Sequence, residues 1–535
     1  MKKRLIVILT ILIVIGLAFG IYLKKRADYL NETASYILGS AAEEVRVLNK
    51  DQEETTLIRG REVQVKIHRD SEIDGVEYRE FVFEEETYYG LPEIFCEKAE
   101  DCVYEKSVYV QTPQELRLPG SAEILGRLQA KEELEVLGYS GMREDGSVEA
   151  YLVKAAGQEV LMKNDDTHVR REYVDLSYDP NRYDSVSMNG GAASTAAYYP
   201  KDKNFTPKTL MPEVVKSLYI NAGTIGSVDD YMAIASMSGI NAFVIDIKDT
   251  NILSYRSPVV EKYAPSSAPC VNDFETYQSV VKKLHDNGYY TIGRITVFKD
   301  PAFAADHPET VILQNGDFYR YNGSYWPSIF SREVWEYNVS LAKEAVEMCG
   351  FDEIQFDYVR SPEVVPQGAD MHNEYGETRV EAITGFIRYA ADVLHEAGAY
   401  VSIDVFGETS GGYVTAYGQY WPAISNAADV ISAMPYPDHF SEGSYGLPQP
   451  WKQPYELMYY WGSDAAARQK ETYEPARVRT WIQVYDSIVD GTPYDASMVA
   501  AQIRGLTDAG VLDGYITWNA AASVARYDNV RSAFN

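Results

Sequence analysis

Hydrophobic and polar positions fall into three regimes along this chain. Residues 5–23 are uncharged and mostly apolar all round, with Lys2, Lys3 and Arg4 before them and Lys24, Lys25 and Arg26 after. A helix over this run rises about 28 Å, close to the thickness of a bilayer core. A core helix of a globular protein keeps a polar stripe. A cleaved leader has a shorter apolar stretch that ends in a small-residue site, and no A-x-A site stands near the end of this run. Residues 1–29 are therefore expected to form a transmembrane anchor, with a cleaved signal segment as the alternative. Basic residues flank both ends, so the positive-inside rule barely sets the orientation.

Residues 30–175 switch to a period of two. Alternating stretches at 62–67, 78–83, 133–137 and 150–153 read as half-buried strands. A weak internal repeat runs through them. TTLIRGREVQV at 55–65, then GVEYREFVF and GLPEIF, parallels EILGRLQAKEELEVLGYS at 123–140, then GSVEAYLVK and GQEVLM. Two small all-β domains are expected, at 30–105 and 106–175. The second copy, with Leu116, Arg117, Leu118, Pro119 and Gly120 at a turn, resembles bacterial SH3-like modules. That resemblance implies a spacer or a hold on cell-wall peptide. It also implies a body outside the cell, tethered to the cell membrane, or secreted if the segment is cleaved. Residues 176–207, rich in Ser, Asn, Gly and Ala without an apolar period, read as a linker.

From residue 208 to 535 strand and helix alternate, which implies a parallel sheet. Strand stretches stand at 217–221, 242–247, 290–297, 353–359, 400–406, 430–434, 479–485 and 514–518. Helical stretches lie between, among them 229–238, 274–287, 333–349, 379–397 and 496–509. Gly239, Gly288, Gly350, Gly398 and Gly510 follow those five, as C-terminal caps do. Eight evenly spaced units make a (β/α)8 barrel the expected α/β fold, with a doubly wound sheet as the alternative.

A barrel works at the C-terminal ends of its strands. The stretch around 353–359 ends in Asp357 and then Arg360. Strand two ends in Asp246, Lys248 and Asp249, and strand three carries Arg294. Strand five carries Asp404, with Glu408 after it. Strands six to eight contribute Tyr436, Asp486, Trp518 and Asn519. All seven tryptophans lie in this part, and Trp326, Trp421 and Trp518 are the candidates for a cleft that stacks sugar rings.

Three segments together, IQFDYVRSPE at 354–363, VIDIKDT at 244–250 and VSIDVFGE at 401–408, resemble a bacterial glycoside-hydrolase-like family of unknown function. That family is distantly related to the alpha-amylase barrels, and the resemblance covers about 208–535. It implies that Asp357 stands at the nucleophile position, that Asp404 or Glu408 is the acid/base, and that Asp486 matches the third acid. Asp246, Lys248, Asp249, Arg294 and Arg360, with the aromatics and Asn519, then serve substrate binding. The amylase barrels carry an Arg two residues before the nucleophile. Here that position is Gln355, and Arg294 or Arg360 is left to supply the charge.

Composition narrows the rest. A formal net charge of -30 repels phosphate backbones, so nucleic acid is set aside as a partner. The four cysteines form no C-x-x-C pattern and the seven histidines no H-x-H or H-E-x-x-H. No metal or cofactor is expected, and a divalent-metal hydrolase built on Asp246, Asp357 and Asp404 is the minor reading. Cys96 and Cys102 are close enough in sequence to pair in an exported protein. The leading expectation is an extracellular, membrane-anchored glycoside hydrolase acting on a polysaccharide. Its rival is a non-catalytic glycan- or wall-binding protein on a degenerate barrel.

Overall fold

The computed structural model describes residues 2–98, 105–118, 120–174, 190–191, 201, 203–250, 252–266 and 270–535, with side chains from residue 15 onward. Most of the expected linker at 176–207 lies outside the described residues. So does Cys102, and with it the expected Cys96–Cys102 pairing. The chain divides into two compact units, Met1–Leu116 with Leu125–Leu176, and Arg117–Ile124 with Ser177–Asn535.

The apolar run at 5–23 is helical, within Lys2–Leu30. The side chains of residues 2–14, which make up much of that run, lie outside the described set. Among the described residues no helix is long and apolar enough to cross a membrane. The expected transmembrane helix therefore finds no support there.

The rest of the first unit is all β, as its period of two predicts. A seven-stranded antiparallel sheet is built from residues 33–96, and a five-stranded one from residues 107–170. Each contains a long hairpin, Glu62–Ile73 with Val76–Phe83 and Glu133–Met142 with Val148–Ala155. Fully buried Arg59 donates to the Gly146 carbonyl at 2.6 Å and to Glu105 at 2.7 Å, so its charge is matched where water is excluded.

In the second unit the parallel strands are, in order, Val215–Ile220, Ala242–Asp249, Tyr290–Thr296, Glu353–Asp357, Tyr400–Phe406 and Val430–Met434. Arg477–Val478, Thr480–Gln483 and Gly514–Trp518 follow. Each of the first six pairs with the next, and Gly514–Trp518 pairs back to Val215–Ile220. The nine segments form a nearly closed barrel. Its two loose ends, Arg477–Val478 and Thr480–Gln483, follow one another in the chain across Arg479 and read as one seventh strand. A path that returns to its start rules out the doubly wound alternative. The expected seventh strand, at 479–485, begins two residues early, at Arg477.

Alternation along the strands sorts the side chains into two layers. Ala242 and Val244 join Val215, Tyr290, Ile292, Val430 and Ile516 in one cluster inside the barrel. Phe243, Ile245 and Ile247 pack outward into the larger core under the helices. The helix Arg379–Glu396 opens on a capping box between Thr378 and Glu381. It ends ahead of Gly398, whose φ of +79° makes the left-handed turn into the fifth strand. Arg117–Ile124 also belongs to this unit. Ala122 is buried in the outer core, and Ser121 and the Ala122 N–H both donate to Glu336, at 3.1 and 3.0 Å.

Candidate active site

Over the C-terminal ends of the barrel strands lies a cavity of about 280 Å³. One side of its wall is charged and carries Asp249, Arg294, Asp357 and Arg360. The other is aromatic and carries Tyr436, Trp481 and Trp518.

Arg294, on the third strand, is the centre of the charged side. One terminal nitrogen donates to Asp246 Oδ1 at 2.8 Å and lies 3.5 Å from Asp249 Oδ1. The other donates to Asp357 Oδ2 at 2.6 Å. A planar guanidinium with two outward faces suits carboxylates from neighbouring strands on either side. The ladder explains why these groups meet. Asp246 is the register partner of Arg294, and Arg294 is the partner of Gln355. The cation missing before Asp357 in its own strand is thus supplied by the strand beside it.

Strand two needs an irregularity to present two acids. Asp246 and Asp249 are three residues apart, which in a regular strand puts them on opposite faces. A bulge between Asp246 and Lys248 inserts one residue. Ile247 and Lys248 then both face the helices, and Asp249 returns to the cavity. Lys248 accordingly does not reach the site. Its ammonium lies buried against Asp300 Oδ2 at 2.5 Å and Asn338 Oδ1 at 2.8 Å.

Asp404 stands deeper, on strand five. Its Oδ1 accepts from Gln355 Nε2 at 2.8 Å and from Trp481 Nε1 at 2.7 Å, and among the described residues its Oδ2 has no hydrogen-bond partner. Burial, and then the charge of Asp357, pushes its carboxyl well above the ordinary carboxylate range. Asp246 moves the same way, from 3.8 to about 6, chiefly through burial. Its Oδ2 accepts from Tyr219 at 2.5 Å. Asp404, held toward the neutral form, beside Asp357, paired with Arg294, is the division of labour that acid/base chemistry needs.

Glu408 lies elsewhere. It is exposed on the turn Gly407–Ser410, and its carboxylate accepts from Tyr417 at 2.5 Å and Tyr413 at 3.2 Å. Asp486 is also exposed. It accepts from the Tyr494 N–H and from Arg526, which ties down the loop after strand seven. Neither lines the cavity. Asn519 joins the last two strands by donating to the Val484 carbonyl at 2.9 Å.

Arg360 is 6% exposed and lies under aromatic rings, Phe406 at 4.4 Å, Trp326 at 5.0 Å and Tyr358 at 5.3 Å from its guanidinium carbon. Trp326 is therefore placed behind Arg360. Trp518 lines the cavity, with its ring 4.8 Å from Tyr219 and 5.4 Å from Trp481. Trp421 opens the helix Trp421–Ala427 and is fully buried against Trp461, with its N–H on Gln469. It belongs to the packed layer under the helices and not to the cleft. Tyr358 has a left-handed φ of +53°, which turns its N–H onto Asp357 Oδ1 at 2.6 Å.

Tyr219, Trp481 and Phe406 were not picked out from sequence. Strand one carries no acid to draw attention. Trp481 faces into the barrel while Ile482 packs outward, and that alternation is the signal the sequence offers. The metal reading meets Arg294, whose guanidinium fills the space between Asp246 and Asp357. Away from the cavity, His307, Glu309 and Glu333 bring donor atoms within 4.8 Å of one another.

Comparison with known proteins adds the family. No curated protein matches the chain. A hypothetical protein from Ruminiclostridium thermocellum ATCC 27405 is 34% identical over 35% of this chain and 97% of its own, with a TM-score of 0.30. The PgaB (BpsB) glycoside hydrolase domain from Bordetella bronchiseptica is 12% identical over 60% of this chain and 99% of its own, with a TM-score of 0.44. A class V chitinase from Pseudomonas fluorescens Pf-5 is 14% identical over 60% of this chain and 100% of its own, with a TM-score of 0.38. Residues 217–524 match the family described as "Putative glycosyl hydrolase domain". That match takes in all eight barrel strands but the first two residues of strand one, and the chain belongs to this glycosyl hydrolase family.

Proposed function

We propose that this glycoside hydrolase cleaves its glycan with Asp357 as the charged carboxylate and Asp404 as the proton donor. The observation that carries the reading is the pairing of Asp357 with Arg294 at 2.6 Å, beside an Asp404 held toward its neutral form by burial and by Asp357 itself. Glycosidic cleavage asks for that pair. One carboxylic acid protonates the leaving oxygen while an ionised carboxylate attacks or stabilises the anomeric carbon. In a retaining reaction the bond from Asp357 to the anomeric carbon forms as the glycosidic C–O bond breaks. The proton leaves with the departing sugar; water then attacks the anomeric carbon, gives a proton to Asp404, and breaks the bond to Asp357. The aromatic wall offers flat faces to sugar rings.

The test is hydrolysis of a panel of surface and plant polysaccharides and of aryl glycosides by wild type, Asp357→Asn, Asp404→Asn and Glu408→Gln. Near wild-type hydrolysis by Asp357→Asn sinks the assignment. A binding-only reading draws on one observation: Asp404 is 1% exposed and does not line the cavity. An absence of hydrolysis across the panel, with retained binding, would establish it.

We also place the body outside the cell, tethered through residues 5–23, with the SH3-like sheets as spacer or as a hold on wall peptide. The support is the sequence pattern of both regions. Protease added to intact cells should remove the body, and loss only after permeabilisation would reverse the orientation.

A further inference from the structure

Outside the cavity, aromatic side chains gather on one helix in a way packing does not require. The helix Pro454–Glu471 buries Leu457, Met458, Trp461 and Ala465. Tyr459 and Tyr460 are left 38% and 43% exposed. Tyr455 stacks on Tyr459, with centroids 6.2 Å apart and planes 13° apart, and Tyr459 meets Tyr460 edge-on at 5.7 Å. From the preceding loop, Tyr445 stacks on Tyr460 at 6.1 Å and 16°, and it lies 6.0 Å from Phe440. Phe440 follows His439, which lines the cavity and packs on Tyr436. The rings therefore form one row, whose Phe440 end packs partly against the outer core and adjoins the cavity-lining His439 in the chain.

Two features hold the row open. Tyr445 sits at φ +54°, a conformation that L side chains rarely adopt, and it is 38% exposed there. The hydroxyls are tethered at the edges, Tyr445 to Asp464 and Tyr455 to Asp508, both at 3.0 Å. A ring pinned by its hydroxyl keeps its orientation and leaves a face to solvent. An i, i+4 pair on one helix face accounts for the meeting of Tyr455 and Tyr459 but not for a strained Tyr445 stacked on Tyr460.

We propose that the row Phe440–Tyr445–Tyr460–Tyr459–Tyr455 binds a polysaccharide chain, extending the cavity into a track for the polymer that the barrel cleaves. This rests on the glycoside hydrolase reading for the identity of the ligand. Pyranose rings present apolar C–H faces with hydroxyl rims, which fit tyrosine faces rimmed by hydroxyls and carboxylates. A protein partner would instead bury these residues beside a larger apolar patch. The carboxylates Asp464 and Asp508 at the rim favour a neutral or cationic sugar over an acidic one.

The experiment is native gel retardation of the full chain by chitosan, xylan, mixed-linkage β-glucan and purified peptidoglycan fragments. The proteins are wild type, Asp357→Asn, Tyr445→Ala/Tyr460→Ala and Tyr445→Phe/Tyr460→Phe. Wild type and Asp357→Asn should be retarded by at least one polymer. The alanine pair should bind that polymer about tenfold more weakly and the phenylalanine pair within about twofold of wild type, since stacking needs the ring. Equal retardation of the alanine pair overturns the proposal, as does no retardation of wild type by any polymer. Equal loss in the phenylalanine pair overturns it too, because hydroxyls would then carry the contact. Ring-dependent retardation without hydrolysis of any substrate would sink the hydrolase reading and keep the track. Hydrolysis without ring-dependent retardation would sink the track alone.

Discussion

The two sides of the barrel mouth are built from the same alternation but hold different chemistry. On strands two to five the inward positions are Asp246, Arg294, Asp357 and Asp404; hydrogen bonds of 2.6–2.8 Å join the first three, and Gln355 donates to Asp404 at 2.8 Å. On strands six to eight and one they are Trp481, Trp518, Tyr219 and, just beyond strand six, Tyr436, joined by ring contacts. The charged side is stiff because every buried charge needs its partner. The aromatic side is tolerant because stacking is broad in distance and angle. Among the described residues two hydrogen bonds cross between them, Tyr219 to Asp246 and Trp481 to Asp404, and the Arg294 guanidinium carbon lies 5.8 and 5.6 Å from the rings of Tyr219 and Trp518. The division teaches that reaction and recognition are separable here, and that each should fail in its own way.

The largest effect should come from the charged side. Asp357→Asn should lower turnover by about a thousandfold or more and leave KM within a few fold, because the lost interaction belongs to the transition state. Steady-state rates on one polysaccharide check it. Asp404→Asn should cost about 10²–10⁴-fold on natural substrate and far less on an activated aryl glycoside, whose leaving group needs no proton. Its pH–rate profile should also lose the fall at high pH, since the raised carboxyl of Asp404 must keep its proton to act.

The aromatic side should break differently. Trp518→Leu should raise KM about tenfold and change kcat by no more than about threefold. A larger drop in kcat would mean that the two sides act as one. Glu408→Gln, outside both, should stay within about twofold of wild type in both constants.

The smallest effect is thermodynamic. The pKa of Asp246 is raised from 3.8 to about 6 in the folded chain. The native state therefore holds that proton more tightly than the unfolded state does. The contribution to stability is full below 3.8 and is lost as pH rises through about 6. Asp246→Asn should flatten the dependence of Tm on pH between these values. An unchanged slope would assign the dependence to other groups.

Much of the barrel was legible from sequence because its cues are local. Alternation, strand-to-helix periodicity and glycines after helices placed every strand within a few residues. The C-terminal strand ends named Asp357, Asp404 and Arg294 for the same reason. What escaped depends on neighbours far away in sequence. The bulge that turns Lys248 out and Asp249 in exists only relative to strand three. Gln355 looked like a missing charge until strand five brought Asp404 against it. Trp421 and Trp518 look alike in sequence, yet one begins a helix in the packed layer and the other ends a strand at the mouth. Glu408 shares strand parity with Asp404, but the chain leaves the strand at Phe406, and parity means nothing past that point.

Tyr358 has one more consequence. A tyrosine at φ +53° sits where glycine or asparagine would be relaxed, at a strain of the order of 1 kcal/mol. Laboratory evolution for heat resistance alone would press on this position and drift toward glycine. The variant that survives the heat would have a looser hold on Asp357 and an Arg360 stripped of one of its rings. Position 358 is thus a place to read whether a thermostable relative was selected for endurance or for turnover.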